Sequence, residues 1–229
     1  MHKATKPKVK ICCIGSRVEA RMAIANGAYA IGLVSEMPSG PGVIAEKLIA
    51  EIAADVPPGI LTVLLTSKQD TAAIIEQQRR CGVNTLQIVD RLEKGSYQDL
   101  KEAMPGVSLV QVIHVTNKKA IEEAESCAPH VDAILLDSGN PKKSVKELGG
   151  TGRTHNWKIS RTIRERLDVP VYLAGGLTAD NVAEAIQQVG PFGLDICSGV
   201  RTDGRLDDGK LETLFTQIKS AEKLVSAEI

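Results

Sequence analysis

The chain has 229 residues, and its 28 Lys+Arg balance 28 Asp+Glu to a net charge of zero. It therefore lacks the basic field that nucleic acid or an anionic membrane would require, and 3% aromatics leave no base-stacking platform. Five cysteines, with Cys12 and Cys13 adjacent and no CxxC pair, suit neither a disulfide framework nor a zinc site, which predicts a reducing, cytoplasmic setting and no structural metal.

Met1–Lys10 carries Lys3, Lys6, Lys8 and Lys10 but no apolar core, so it does not read as a signal peptide. No run of about 18 apolar residues suggests a membrane span. The first strand is expected at Lys8–Cys13, followed by a helix over Ser16–Asn26 that ends at Gly27. Tyr29–Val34 is the second strand, and Gly42–Ala54 the second helix, before Pro57-Pro58. Ile60–Leu65 leads to a helix at Gln69–Arg80, near Gly82. Thr85–Val89 leads to a short helix at Tyr97–Ala103, cut off by Pro105-Gly106. Ser108–Ile113 precedes Asn117–Cys127, and Ala133–Leu136 precedes Asn156–Leu167. Val169–Ala174 precedes Ala179–Val189, and Gly193–Cys197 precedes the closing helix Asp207–Ser226.

Several of these strands are nearly continuous in Val, Ile and Leu, as parallel strands buried on both faces require. Strict alternation of strand and helix implies an α/β fold with a parallel sheet. Eight units suggest closure into a (β/α)8 TIM barrel, a single domain over 1–229 with 1–7 as a short flexible N-terminal tail. An open doubly wound sheet is the alternative. In either fold the chemistry belongs at the C-terminal ends of the strands.

Three of those ends carry small-residue turns: Gly149-Gly150-Thr151-Gly152-Arg153-Thr154, Ala174-Gly175-Gly176-Leu177 and Cys197-Ser198-Gly199-Val200. Consecutive backbone N–H groups in such turns form a nest for an anion, and barrels commonly hold phosphate on the loops after strands seven and eight. A helix starting at Ala179 would add its N-terminus. One glycine pair alone would mean only a tight turn; together they point to a phosphorylated small molecule. Neither GxGxxG nor a Walker A pattern is present.

Cys12, Asp137 and Asp195 come from strand ends around one mouth and offer a thiol and carboxyls for acid–base chemistry. Side-chain alternation lets only one of Cys12 and Cys13 point inward. Lys10 shares the face of Cys12 and is the cation that a thiolate there needs. Each has a plainer reading. Buried Cys is usually an inert small hydrophobe, and an Asp at a strand end often caps a loop. Asp195 equally suits a structural bond to Lys10.

These residues resemble the phosphoribosylanthranilate isomerase family of tryptophan biosynthesis. The likeness is carried by Val9-Lys10-Ile11-Cys12, Leu135-Leu136-Asp137, the Gly149–Thr154 run with Trp157, Ala174-Gly175-Gly176-Leu177 with Asn181-Val182, and Asp195-Ile196-Cys197-Ser198-Gly199-Val200. It implies a cofactor-free Amadori rearrangement of a phosphoribosyl amine, with Asp137 as general acid and Cys12 as general base. Gly175, Gly176, Cys197, Ser198 and Gly199 would hold phosphate, with Asp195 beside them. The loop bearing Gly150 and Gly152 would fold over the substrate. Partners would be a phosphorylated substrate and at most a second copy: monomer or homodimer, with neither nucleic acid nor membrane.

The sequence departs from the family at four places. Cys12-Cys13 replaces Cys-Gly. The loop Glu36–Gly42 lacks the Arg that meets the anthranilate carboxylate, leaving Arg17 and Arg153 as candidates for its place. Gln87-Ile88-Val89-Asp90 replaces Gln-Leu-His-Gly, and His155-Asn156-Trp157 replaces Phe-Asp-Trp. A related isomerase of another phosphorylated aminosugar, and a non-catalytic barrel that binds a phosphorylated metabolite, are the competing readings.

Overall fold

The structure is a computed structural model that describes residues 7–227, with side chains described as far as Ala221. Apart from Pro7, the expected 1–7 tail lies outside the described residues. Eight parallel strands form the closed barrel: β1 (Lys8–Ile11), β2 (Ala30–Val34), β3 (Leu61–Thr66), β4 (Thr85–Ile88), β5 (Ser108–His114), β6 (Ala133–Asp137), β7 (Val171–Leu173) and β8 (Gly193–Ile196). Pairing of β8 with β1, from Lys8↔Gly193 to Ile11↔Ile196, completes the ring. The open-sheet alternative is thereby excluded.

The helices are α1 (Arg17–Ala25), α2 (Glu46–Asp55), α3 (Thr71–Cys81), α4 (Tyr97–Ala103), α5 (Lys119–Cys127), α6 (Trp157–Arg166), α7 (Val182–Val189) and α8 (Asp208–Ala227). Short polar side chains start several of them. Ser16, Asp70 and Asn156 accept from backbone N–H groups of the first turn, and Ser96 forms a capping box with Asp99. Gly82 and Gly190 end α3 and α7 in left-handed conformation.

Alternation along the strands divides the apolar residues between two cores. Ile11, Ile31, Leu33, Leu64, Leu86, Ile88, Leu136 and Ile196 face the helices. Val63, Leu65, Val110, Val112, Ala133, Leu135 and Tyr172 fill the barrel interior. The filled interior leaves functional space only at the rim.

Two helices, α2 and α7, start four and three residues later than expected. Gly42 has φ 81°, and Ile44 N–H donates to Val34 O at 2.9 Å, so the chain beside β2 stays extended until Glu46. The turn before α7 is organised by Asn181, which accepts from Thr178 N–H and donates to Gly176 O, both at 2.9 Å. The helix therefore begins at Val182 rather than Ala179. A small hairpin, β9 (Arg201–Thr202) with β10 (Arg205–Leu206), follows β8. Among the described residues, no helix is long and apolar enough to cross a membrane.

Leu64 is fully buried between sheet and helices. Leu64→Ala is expected to cost about 2–5 kcal/mol, seen as a lower denaturation midpoint with unchanged slope.

Candidate active site

At the C-terminal rim, one cavity of about 70 Å³ is lined by Cys12, Asp137, Asp195 and Cys197, and by Gly150, Gly152, Gly175, Gly176 and Ser198 of the small-residue loops. Gly199 does not line it. It packs beneath the Gly175–Thr178 turn, where a Cβ would meet the Leu177 carbonyl. This close approach supports the turn beside the cavity.

Cys12 continues β1 by donating its N–H to Ile196 O at 2.8 Å. Its sulfur and the Lys10 ammonium converge on Gly32, where a Cβ would lie 2.9 Å from Cys12 Sγ and 3.0 Å from Lys10 Nζ. Lys10 donates to Asp195 Oδ2 at 2.8 Å, and both side chains are buried. Burial alone would lower the Lys10 pKa; the Asp195 carboxylate and the Cys12 thiol beside it outweigh that and raise it. Asp195 Oδ1 is buried without a partner. The structural bond to Lys10 and a place at the pocket coexist in Asp195.

Asp137, at the end of β6, accepts from Ser138 N–H at 2.7 Å through Oδ1. Its Oδ2 lies under Gly149. Burial raises the carboxyl pKa, against the Ser138 bond and the nearby His114, and the Asp195 charge raises it further. Asp137 is thus biased to keep its proton, as a general acid must.

Cys13 overturns the expected alternation: both Cys12 and Cys13 line the cavity. Cys13 has φ 62°, a left-handed turn that brings its side chain back over the mouth. Arg201 holds that turn. Its guanidinium donates to Cys12 O at 3.2 Å and to Cys13 O, and it pairs with Glu19 at 3.1 Å. Glu19 also accepts from Gly15 N–H and Leu206 N–H. Sequence reasoning missed Arg201 and Glu19, because a pair 182 residues apart leaves no local signal.

Two loops cover the cavity. Ser39 Oγ donates to Lys146 O, and a Cβ on Gly150 would be 2.6 Å from Pro41 Cδ, so the loops after β2 and β6 pack closely on one another. The latter also crosses the Gly175-Gly176 turn, where a Cβ on Gly176 would be 2.7 Å from Thr154 N. Side chains at Gly150 and Gly176 would wedge this cover open.

Opposite the glycine loops, the cavity is lined by Val34, Met37, Leu65, Val89 and Leu148, with Gln87 among them. Gln87 Oε1 is buried without a partner. The candidates for the absent Arg do not reach this end. Arg17 lies 3.7 Å from Glu51 on the outer helices, and Arg153 pairs with Glu147 at 2.6 Å. Neither lines the cavity. His155 is held neutral by burial, with a pKa near 4, and bonds Ser160 Oγ at 2.7 Å. Among the described residues no cluster of His, Cys, Asp or Glu could hold a metal ion.

The family model described as N-(5'-phosphoribosyl)anthranilate (PRA) isomerase matches residues 9–217. A protein named N-(5'-phosphoribosyl)anthranilate isomerase from Haloferax volcanii is 35% identical over 202 residues, covering 88% of this chain and 87% of that one. One of the same name from Nostoc punctiforme is 34% identical over 218 residues, covering 94% and 100%. The crystal structure of phosphoribosyl anthranilate isomerase from Thermotoga maritima superposes with a TM-score of 0.77 at 26% identity, covering 93% of this chain and 99% of that one.

A pH test of the Asp137 environment follows from its raised pKa. The native state binds this proton more tightly than the unfolded chain, so the stabilisation is present at acid pH and lost as pH rises through the folded pKa. Asp137→Asn keeps the acceptor for Ser138 N–H. It should raise the denaturation midpoint at pH 7 and lose that advantage in acid; a lower midpoint at pH 7 would contradict the assignment.

Proposed function

The chain belongs to the N-(5'-phosphoribosyl)anthranilate isomerase family, and on that premise we propose that Cys12 and Asp137 carry its acid–base chemistry. The protein is an aldose–ketose isomerase of N-(5'-phosphoribosyl)anthranilate, and the rearrangement needs one acid at the ring oxygen and one base at C2 of the sugar. The observation that carries the residue assignment is that Cys12 and Asp137 line one cavity together with the glycine loops.

Asp137 gives its proton to the ring oxygen as the glycosylamine opens, leaving a protonated Schiff base between the anthranilate nitrogen and C1 of the sugar. Cys12 thiolate removes the C2 proton, and the electron pair moves to C1 and neutralises the iminium. The resulting enolamine tautomerises to the 1-amino-1-deoxyketose, with the C2 hydroxyl becoming the carbonyl. The raised Asp137 pKa supports the first step, and the Lys10 ammonium is the counter-charge for a Cys12 thiolate.

Backbone N–H groups of Gly152, Gly175, Gly176 and Ser198 are the proposed phosphate cup, because these residues border the same end of the cavity. Asp195 Oδ1, buried and unpaired, suits a sugar hydroxyl donor. At the apolar end, the Gln87 amide is the polar group that faces the anthranilate ring and its substituent. Small-molecule sites usually measure about 300–1,000 Å³. A cavity of about 70 Å³ therefore requires the two covering loops to part before substrate enters.

Purified protein given phosphoribosylanthranilate, generated in situ, should consume it with loss of its fluorescence. Cys12→Ala and Asp137→Ala should each lower turnover by about 10²-fold or more. Activity retained within a few-fold in either variant would remove that residue from the mechanism.

A further inference from the structure

Cys13 stands at φ 62°, a left-handed conformation that a residue with a side chain rarely adopts. The family pattern has glycine there, for which the conformation is free. The thiol that the chain places at this position meets another: Cys197 Sγ donates to Cys13 Sγ at 2.9 Å. The two belong to neighbouring strand ends, since the β1–β8 ladder runs on through Cys12 N–H to Ile196 O. A shift of about 1 Å would bring the sulfurs to bonding distance. Both line the cavity, so a small reagent that enters it reaches both.

We propose that Cys13 and Cys197 form a dithiol oxidation site, which a hydroperoxide converts to a disulfide across the seam of the barrel and a thiol reductant reopens. Cys197 is the attacking sulfur. When it ionises, the Cys13 S–H turns from Pro41 O onto it, and that hydrogen bond lowers its pKa, opposed by burial and assisted by the Arg201 charge. Cys13 is held protonated by its neighbours Cys12 and Cys197 and by burial. Cys197 thiolate attacks the peroxide, the O–O bond breaks, and a sulfenic acid and hydroxide form. Cys13 sulfur then displaces hydroxide from the sulfenic acid, closing the S–S bond. Overall two thiols and one hydrogen peroxide give one disulfide and two waters. Cys81, fully buried among the helices with its pKa pushed up to about 11 by burial, is protected from the same reaction.

The site is tied to the cover of the cavity. Cys13 Sγ donates to Pro41 O at 3.6 Å, and a Cβ on Gly42 would lie 3.0 Å from that sulfur. Drawing Cys13 onto Cys197 takes it off Pro41 and twists the backbone next to Cys12. Oxidation should therefore slow turnover, an effect that rests on the isomerase reading; formation of the disulfide does not.

The test is mild hydrogen peroxide treatment of the reduced protein, followed by intact-mass and non-reducing peptide mapping. Expected is a loss of about 2 Da, reversed by dithiothreitol, with the peptides of Cys13 and Cys197 linked. The linkage should persist in Cys12→Ser and vanish in Cys13→Ser and Cys197→Ser. A link through Cys12, or sulfinic acid on Cys197 without a link, overturns the site. Turnover of the linked wild-type protein should fall at least about tenfold and recover on reduction, as its unlinked thiolates are unmodified. A linked protein as active as the reduced one overturns the coupling to the cover, whereas a reduced protein without turnover bears on the isomerase reading alone.

Discussion

Lys10 and Asp195 meet at 2.8 Å on the seam where β1 closes onto β8. They are register partners, and both side chains point into the barrel, where water cannot reach them. Removing two charges from water costs several kcal/mol per ion, which their mutual attraction roughly offsets. The pair is therefore a poor source of net stability compared with an apolar pair of the same size. What it provides is location: a fixed ammonium beside the Cys12 sulfur, and a carboxylate with one oxygen bonded and the other unpaired at the pocket. The same side chains that close the barrel set the charges of the site. A change of either would reach the chemistry through the seam.

The covering loops add a second constraint. Asp137 keeps its proton because it is buried, and part of that burial is Gly149 lying over Oδ2. When the loops part to admit substrate, water returns to the carboxyl and its reason for holding the proton weakens. When they close, burial again holds the proton on the carboxyl with the substrate in place. Ser39 on Lys146, and Pro41 on Gly150, are thus joined to the proposed acid step through the cover they form. On the proposed mechanism, closure of the loops and retention of the Asp137 proton form one event.

The barrel was legible because each strand announces itself. Leu61–Thr66 and Ala133–Asp137 are short, apolar and bounded by turn residues, so strand position could be read without any long-range information. The place of Asp137 and the glycine loops around one cavity was legible for the same reason, since each follows the C-terminal end of a strand. Three features escaped. Alternation failed at Cys13, because a left-handed φ at a residue other than glycine leaves no local mark. The start of α2 was drawn at Gly42, because helical periodicity cannot see Val43 bridging to Val34. The Arg201–Glu19 clamp was invisible because each residue alone is ordinary and only the closed barrel brings them together.

The aglycone end follows a different logic from the phosphate end. Phosphate can be met by backbone N–H groups, which glycine loops expose without needing any cation. A carboxylate on an aromatic ring usually meets a guanidinium, and this cavity has none on its walls. Three cations of the loop after β6 are already engaged: Lys143 and Arg153 on Glu147, and Lys146 on Asp90. Apolar contact with Val34, Met37, Leu65, Val89 and Leu148 can hold the ring. Its carboxylate then has two routes. It can take the Gln87 amide, a neutral donor weaker than a guanidinium, or draw Lys146 from Asp90 as the cover opens. The second route leaves Asp90, itself buried, without its cation, and the cost of that buried charge opposes the exchange. On the proposed reading, binding at this end therefore rests on burial of the ring, and recognition of the carboxylate on what the Gln87 amide supplies.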